Sequence, residues 1–148
     1  MQRSDAVRTA IERFCERFST ADLEGFDAAI ADDAEAFVIG TQRWTSGRDE
    51  WLGNFRFLVD NGLVVPDGSG VRVEAGNVRG YAEGAFGWAV AWVTFVFAPD
   101  KRLPSRFTAV LHHEDGEWKI LHAHFSVAVP DERALEHVHE WMEELGQA

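Results

Sequence analysis

"RFTAVLHHEDGEWKILHAHFS", Arg106–Ser126, decides the fold of this chain. Two runs of largely alternating apolar residues flank Glu114-Asp115-Gly116, the pattern of a β-hairpin. The turn has two solutions. A two-residue Asp-Gly loop sets Glu114 opposite Glu117, an unfavourable pairing of like charges. A three-residue loop, a type I turn followed by Gly116 in the left-handed region, pairs His113 with Glu117 instead, and it is the expected form. In that register Val110 faces Ile120, Thr108 faces His122 and Arg106 faces His124. One side of the sheet then gathers Arg106, Thr108, His122, His124 and Ser126. A single step of register reverses the facing of a strand and takes Arg106 off that side.

Two imidazoles one residue apart in an apolar run need an explanation. Polar groups enclosed by an apolar wall cost about 1–3 kcal/mol each when unpaired, so they satisfy either one another or a guest. The first alternative is a core network with ordered water. The second is a pocket floor that offers a guanidinium and imidazoles to an anionic or carbonyl-bearing molecule. In that reading Arg106 binds the polar head and His124 and His122 orient it or exchange a proton. Thr108 and Ser126 complete the hydrogen bonds, and Trp92 lines the wall. The His-x-His pair could also begin a zinc site. The cation of Arg106 beside it disfavours a metal, so neither metal nor cofactor is expected.

Other chemistry-bearing residues read as structural. No G-x-S-x-G elbow is present, and Cys15, the one cysteine, lacks an evident base and falls on the apolar side of a helix. No G-x-G-x-x-G opens a helix, and "GNVRGYAEG" (76–84) reads as a turn between strands. Asp32, Asp33, Glu35 and Glu83 read as solvated acids of caps and loops. His137 and His139 diverge by roughly 200° on a helix and read as surface residues.

Outward from the hairpin, "AFGWAVAWVTFVFA" (85–98) is an uncharged run too short to span a bilayer as a helix. It reads as a strand apolar on both faces, with Gly87, Ala89 and Ala91 on one side and Trp88, Val90 and Trp92 on the other. "GVRVEAGNVRG" supplies a half-exposed strand. Ahead of it, Val7, Ile11, Phe14, Cys15 and Phe18 recur at helical spacing behind Ser4 as cap. A shorter helix carries Leu23, Phe26 and Ile30, and "AEAFVIG" a short strand. A third helix, opened at Thr45 or Ser46, carries Trp51, Leu52, Phe55 and Leu58 and closes near Gly62. A last helix starts at Pro130 and carries Leu135, Val138, Trp141, Met142 and Leu145. Helices first and an antiparallel meander afterwards make the chain α+β.

The 148 residues suit one domain. The net charge is −11, with lysine only at positions 101 and 119. The field of such a surface opposes binding to nucleic acid or to an anionic membrane. The charged opening "MQRSDAVRTA" does not read as a secretory signal, and a cytoplasmic protein is expected.

"FVIGTQRWTSGRDEW" together with "RFTAVLHHEDGEWKILHAHFS" resembles the SnoaL-like branch of the nuclear-transport-factor-two-like superfamily. The hairpin is also similar to the association domain of calcium/calmodulin-dependent kinases. The resemblance covers nearly the whole chain and implies a single SnoaL-like domain over residues 1–148. It implies a curved antiparallel sheet wrapped around N-terminal helices, a cone with a pocket (a cystatin-like α+β roll), plus a C-terminal helix. It also implies a homodimer formed through the sheet. Arg106, Thr108, Trp118, His122, His124 and Ser126 fall on its motif positions, but the resemblance transfers no reaction. Such relatives include ketosteroid isomerases, polyketide cyclases, dehydratases, transport factors and oligomerisation hubs. The catalytic Asp and Tyr of the isomerases have no clear counterparts here. Three functions stay open. The leading one is binding of a small, partly apolar organic molecule; the others are histidine acid–base catalysis on such a molecule, and assembly without catalysis.

Overall fold

Ser4 starts the first helix as expected: its Oγ accepts a hydrogen bond from the Val7 N–H at 3.2 Å. In the computed structural model, which describes residues 1–39, 45–127, 132–133 and 146, this helix is α1, Asp5–Ser19. It buries Val7, Ile11, Phe14 and Cys15. Asp22 caps α2, Leu23–Ala28, by accepting from the Gly25 N–H, and Phe26 is its buried residue. The third helix, α3 (Gly47–Asp60), buries Trp51 and Phe55. It ends where Gly62 takes φ +68° and Leu63 N–H bonds back to the Leu58 carbonyl at 2.9 Å, a left-handed stop suited to glycine. Arg48 at its first turn pairs with Asp27 at 2.5 Å, which ties α3 to α2.

The described strands are β1 (Gln2–Arg3), β2 (Ala36–Ile39), β3 (Thr45–Ser46), β4 (Arg72–Glu83), β5 (Phe86–Ala98), β6 (Lys101–Glu114) and β7 (Glu117–Val127). They form one curved sheet in the order β1-β4-β5-β6-β7-β2-β3. Strands β4, β5, β6 and β7 pair antiparallel, as expected; β1, a strand the sequence reading did not include, pairs antiparallel with β4, and β2 runs parallel to β7. Its direction follows from the approach of the chain. Ile120 N–H bonds to Ala29 O, and the Ala31 and Glu35 N–H groups bond to Ile120 O and Leu121 O, so the link from α2 is already laid along β7.

The stretch "GNVRGYAEG" corrects the expectation of a turn. Strand β4 runs through it, with a bulge between Gly76 and Arg79 where Asn77 takes φ +50°. Asparagine tolerates that conformation, and Arg79 to Glu83 keep pairing beyond it, so the chain kinks without reversing. The reversal comes at Gly84, φ +59°.

The three helices cover one sheet face. There the core joins Ala89, Ala91, Val93, Phe107, Ala109 and Phe125 to the helical stripes. The small side chains let α1 lie close. A Cβ placed on Gly80 would stand 2.5 Å from the Arg8 nitrogen and 2.8 Å from the Ser4 carbonyl oxygen. The opposite sheet face has no cover among the described residues. Trp88, at 37% exposure, and Trp92, at 50%, lie on it, so β5 is buried on one side only. The expected C-terminal helix and His137 and His139 fall outside the described residues, apart from Glu132 and Arg133. No described helix is long and apolar enough to cross a membrane.

Candidate functional site

Between the helices and the covered sheet face, bulky rings stack on one another and leave space. Phe26 and Phe55 stand 4.1 Å apart between ring centres, and Phe18 and Phe55 stand 5.0 Å apart. Beside them lies an inner lobe of about 110 Å³, walled chiefly by Phe14, Phe26, Trp51 and Phe55. Its polar contribution is Asn54, whose Nδ2 donates to Thr45 Oγ1 at 3.3 Å. An outer lobe of about 330 Å³ adjoins it, bounded by Leu63, Val71, Phe97, Leu103, Ser105 and Val127. Phe18, Leu58, Phe95 and Phe125 serve both walls. The outer lobe falls at the low end of the roughly 300–1,000 Å³ typical of small-molecule sites.

Ser105 is the polar exception in that wall. It is 1% exposed, and its Oγ has no hydrogen-bond partner. A buried hydroxyl left in that state costs about 1–3 kcal/mol. Strand alternation puts it there: Ser105, Phe107, Ala109 and Leu111 share the helix-facing side of β6 and are all buried. Sequence reasoning missed Ser105, although its place in the apolar frame of the strand was the signal.

The hairpin turn departs from expectation. Asp115 at φ +52° and Gly116 at φ +82° form a two-residue loop of type I′ character, with Glu114 opposite Glu117. The like-charge penalty is offset, because Lys119 Nζ lies 3.7 Å from a carboxylate oxygen of Glu114. Leu111 then pairs with Ile120 and Val110 with His122, so Leu121 is an extra residue on β7. The backbone carbonyls of Ile120 and Leu121 are occupied by the 31–35 segment, which holds this bulge in place. The two departures cancel in facing. Val110 opposes His122, Thr108 opposes His124 and Arg106 opposes Ser126.

The structure thus brings Arg106, Thr108, His122, His124 and Ser126 onto one side of the sheet, with Trp92 directly across from Arg106. That side is the uncovered one. Arg106, Thr108, Trp92 and His124 are exposed, and His122 and Ser126 are half-buried. The polar groups therefore meet water, and the cost of enclosure that motivated a pocket floor does not arise for them. Arg106 and the two histidines do not line the hollow beneath the helices.

Cys15 lines the inner lobe, where burial first and the Glu12 carboxylate second push its thiol up to about 12. A thiol so rarely ionised is a poor nucleophile. The loop acids are solvated: Asp32 lies 3.7 Å from Arg48 with its side chain 84% exposed, and Glu83 lies 3.2 Å from the N-terminal amine. Among the described residues, no group of three His, Cys, Asp or Glu side chains is placed to hold a metal ion.

A curved sheet wrapped on helices, with apolar space between the two layers, has the architecture of an NTF2-like, cystatin-like fold. A solved NTF2-like protein of unknown function from Pseudomonas putida KT2440 superposes with a TM-score of 0.70 at 19% identity, over 84% of this chain and 85% of that one. An uncharacterised cystatin-like protein from Caulobacter vibrioides gives a TM-score of 0.69 at 19% identity, over 92% and 96% of the two chains. A candidate scytalone dehydratase from Novosphingobium aromaticivorans DSM 12444 gives 0.66 at 12% identity, over 84% and 83%. At these identities the likeness is one of fold. No curated protein matches in sequence. The SnoaL-like domain model matches residues 7–130, and the chain belongs to that family.

Proposed function

We propose that this chain binds a small, largely apolar organic molecule in the hollow between its helices and the covered sheet face. The observation that carries the reading is the pair of adjoining lobes, walled by aromatic and aliphatic side chains with almost no polar surface. Burial of apolar ligand area there contributes about 25 cal/mol per Å². The ligand expected from the sequence carried an anionic or carbonyl group; the carbonyl form suits this hollow, because Arg106 stands outside it. Histidine acid–base catalysis has less support. No histidine or carboxylate lines either lobe among the described residues, and Cys15 is protonated.

A filled hollow tests the proposal. Leu58 borders both lobes and is only partly buried, so Leu58→Trp can occupy the space from a position that tolerates bulk. The wild-type protein should gain thermal stability with 2-acetylnaphthalene, and the variant should fold without gaining any. Equal stabilisation of both proteins would refute binding in the hollow. Mass spectrometry of molecules co-purifying with the wild-type but not with the variant identifies the natural ligand.

A second reading concerns the uncovered face, where Trp88, Val90, Trp92 and Val110 adjoin Arg106, Thr108, His122, His124 and Ser126. Exposed tryptophans on the open face of the sheet favour burial against a second copy, the homodimer expected from the sequence. The polar cluster would then hydrogen-bond across that interface rather than to a ligand.

A further inference from the structure

The two lobes of the hollow are walled by different kinds of side chain. We infer that the guest is an aryl-alkyl molecule, seated with its ring in the inner lobe and its chain running through the outer lobe to the mouth. This rests on the binding reading above and adds the class of ligand and the direction in which it lies.

Rings build the inner lobe. Phe14, Phe26, Trp51 and Phe55 stand in its wall, each at most 4% exposed. Trp51 meets Phe26 at 84° with centres 5.8 Å apart, and meets Phe14 at 60° with centres 5.6 Å apart. Rings set at such angles offer both faces and edges, so a guest ring completes edge-to-face or offset pairs with them. A saturated chain end in the same place buries its area without those pairs. The size suits one ring. An engineered apolar cavity of about 150 Å³ binds benzene, and the inner lobe, about 110 Å³, gains room at its neck.

Phe18, Leu58, Phe95 and Phe125 stand in both walls and form that neck. Three of them, Phe18, Leu58 and Phe95, are only partly buried, so they can turn aside for a slender link such as a methylene chain. Beyond the neck the wall becomes more aliphatic, with Leu63, Val71, Leu103 and Val127. Leu63, Phe97 and Val127 are 46%, 53% and 42% exposed, so the outer lobe opens to water. The direction of the guest follows from this gradient. With its ring inward, the molecule makes its aromatic pairs at the buried end. Its chain packs on branched side chains, and a polar terminus of any charge keeps its water at the mouth, which avoids the cost of burying it.

Two isomers of equal charge test the direction: 7-phenylheptanoate and 4-hexylbenzoate. Each leaves its carboxylate in water at the mouth, and they differ in whether a phenyl or a hexyl end is free to enter the inner lobe. In equilibrium dialysis at pH 7 the wild-type protein should bind 7-phenylheptanoate about two- to twelve-fold more tightly, the worth of one aromatic pair. In an isotope-filtered NOE spectrum its phenyl protons should contact Phe14, Phe26 or Trp51, and the methylene beside its carboxylate should contact Leu63 or Val127. Equal affinities, or a preference for 4-hexylbenzoate, would overturn the aryl-alkyl inference and leave the binding reading intact. Phenyl contacts to Leu63 and Val127 instead of the inner rings would do the same, and neither result depends on a variant that folds. Failure of both isomers to bind the wild-type protein, or undiminished binding by folded Leu58→Trp, would count against the hollow as a site at all.

Discussion

Gly80→Ala should destabilise the protein, against the usual direction of a glycine-to-alanine change. Gly80 has no left-handed backbone angle, so alanine can adopt its conformation, and loss of chain freedom in the unfolded state would by itself favour the variant by about 0.4–1 kcal/mol. The obstacle is what the new methyl meets. It would lie 2.5 Å from the Arg8 nitrogen, 2.8 Å from the Ser4 carbonyl oxygen and 3.0 Å from Val7 Cβ. Two of the three are backbone atoms, one of α1 and one of its cap Ser4, so no rotamer change relieves them, and the N-terminal turn must lift from the sheet. Overpacking of this kind costs about 1–3 kcal/mol. Lifting the turn also weakens the 2.9 Å bond from Ser4 N–H to Gly80 O, worth about 1 kcal/mol. The net expectation is a loss of about 1.5–3 kcal/mol, or about 4–10 °C in thermal midpoint for a chain of this length. Gly53→Ala is the internal control, since a Cβ there meets nothing within 4 Å on the exposed side of α3. It should stabilise by about 0.5–1 kcal/mol. Urea and thermal unfolding at one protein concentration compare the two. A Gly80→Ala protein at least as stable as wild type would refute the close seating of α1 on β4.

Two further outcomes follow from chemistry already described. Because burial raises Cys15 from 9.0 to about 12, the folded state holds the thiol proton that the unfolded state releases. That contribution to stability is complete below pH 9 and is lost as pH rises from 9 toward 12, so Cys15→Ala should flatten the alkaline decline in a pH series of urea midpoints. An identical decline in the variant would show that Cys15 does not cause it. On the uncovered face, Trp92→Glu should shift a sedimentation-velocity dimer to monomer while the circular dichroism of the fold is kept. A dimer that persists in the variant would place the contact elsewhere.

What was legible in the sequence was mostly local. Ser4, Val7, Ile11, Phe14 and Cys15 define α1 because a cap and a helical stripe depend only on near neighbours. The hairpin partners were harder to read. The register near Leu121 is set by hydrogen bonds from Ala31 and Glu35, residues some ninety positions away, and no pattern in Trp118–Ser126 records them. Alternation correctly put Arg106, Thr108, His122, His124 and Ser126 on one side but does not say which side the helices cover. Side-chain size carried that information. Ala89, Ala91, Ala109 and Ala123 are small where helices approach, while Trp88 and Trp92 are large on the side left open. The polar residue enclosed by the fold was the inconspicuous Ser105, and the conspicuous histidines remained in contact with solvent.

The sheet is bounded at its two ends by β1 and β3, each only two residues long. Beyond its two pairings with β1, the rim of β4 is bent by the bulge at Asn77. Among the described residues a foreign strand thus finds no long straight row of free peptide groups to extend, and that shields a Val- and Phe-rich chain from fibrillar growth. The homodimer proposed above would accordingly form broadside rather than edge to edge.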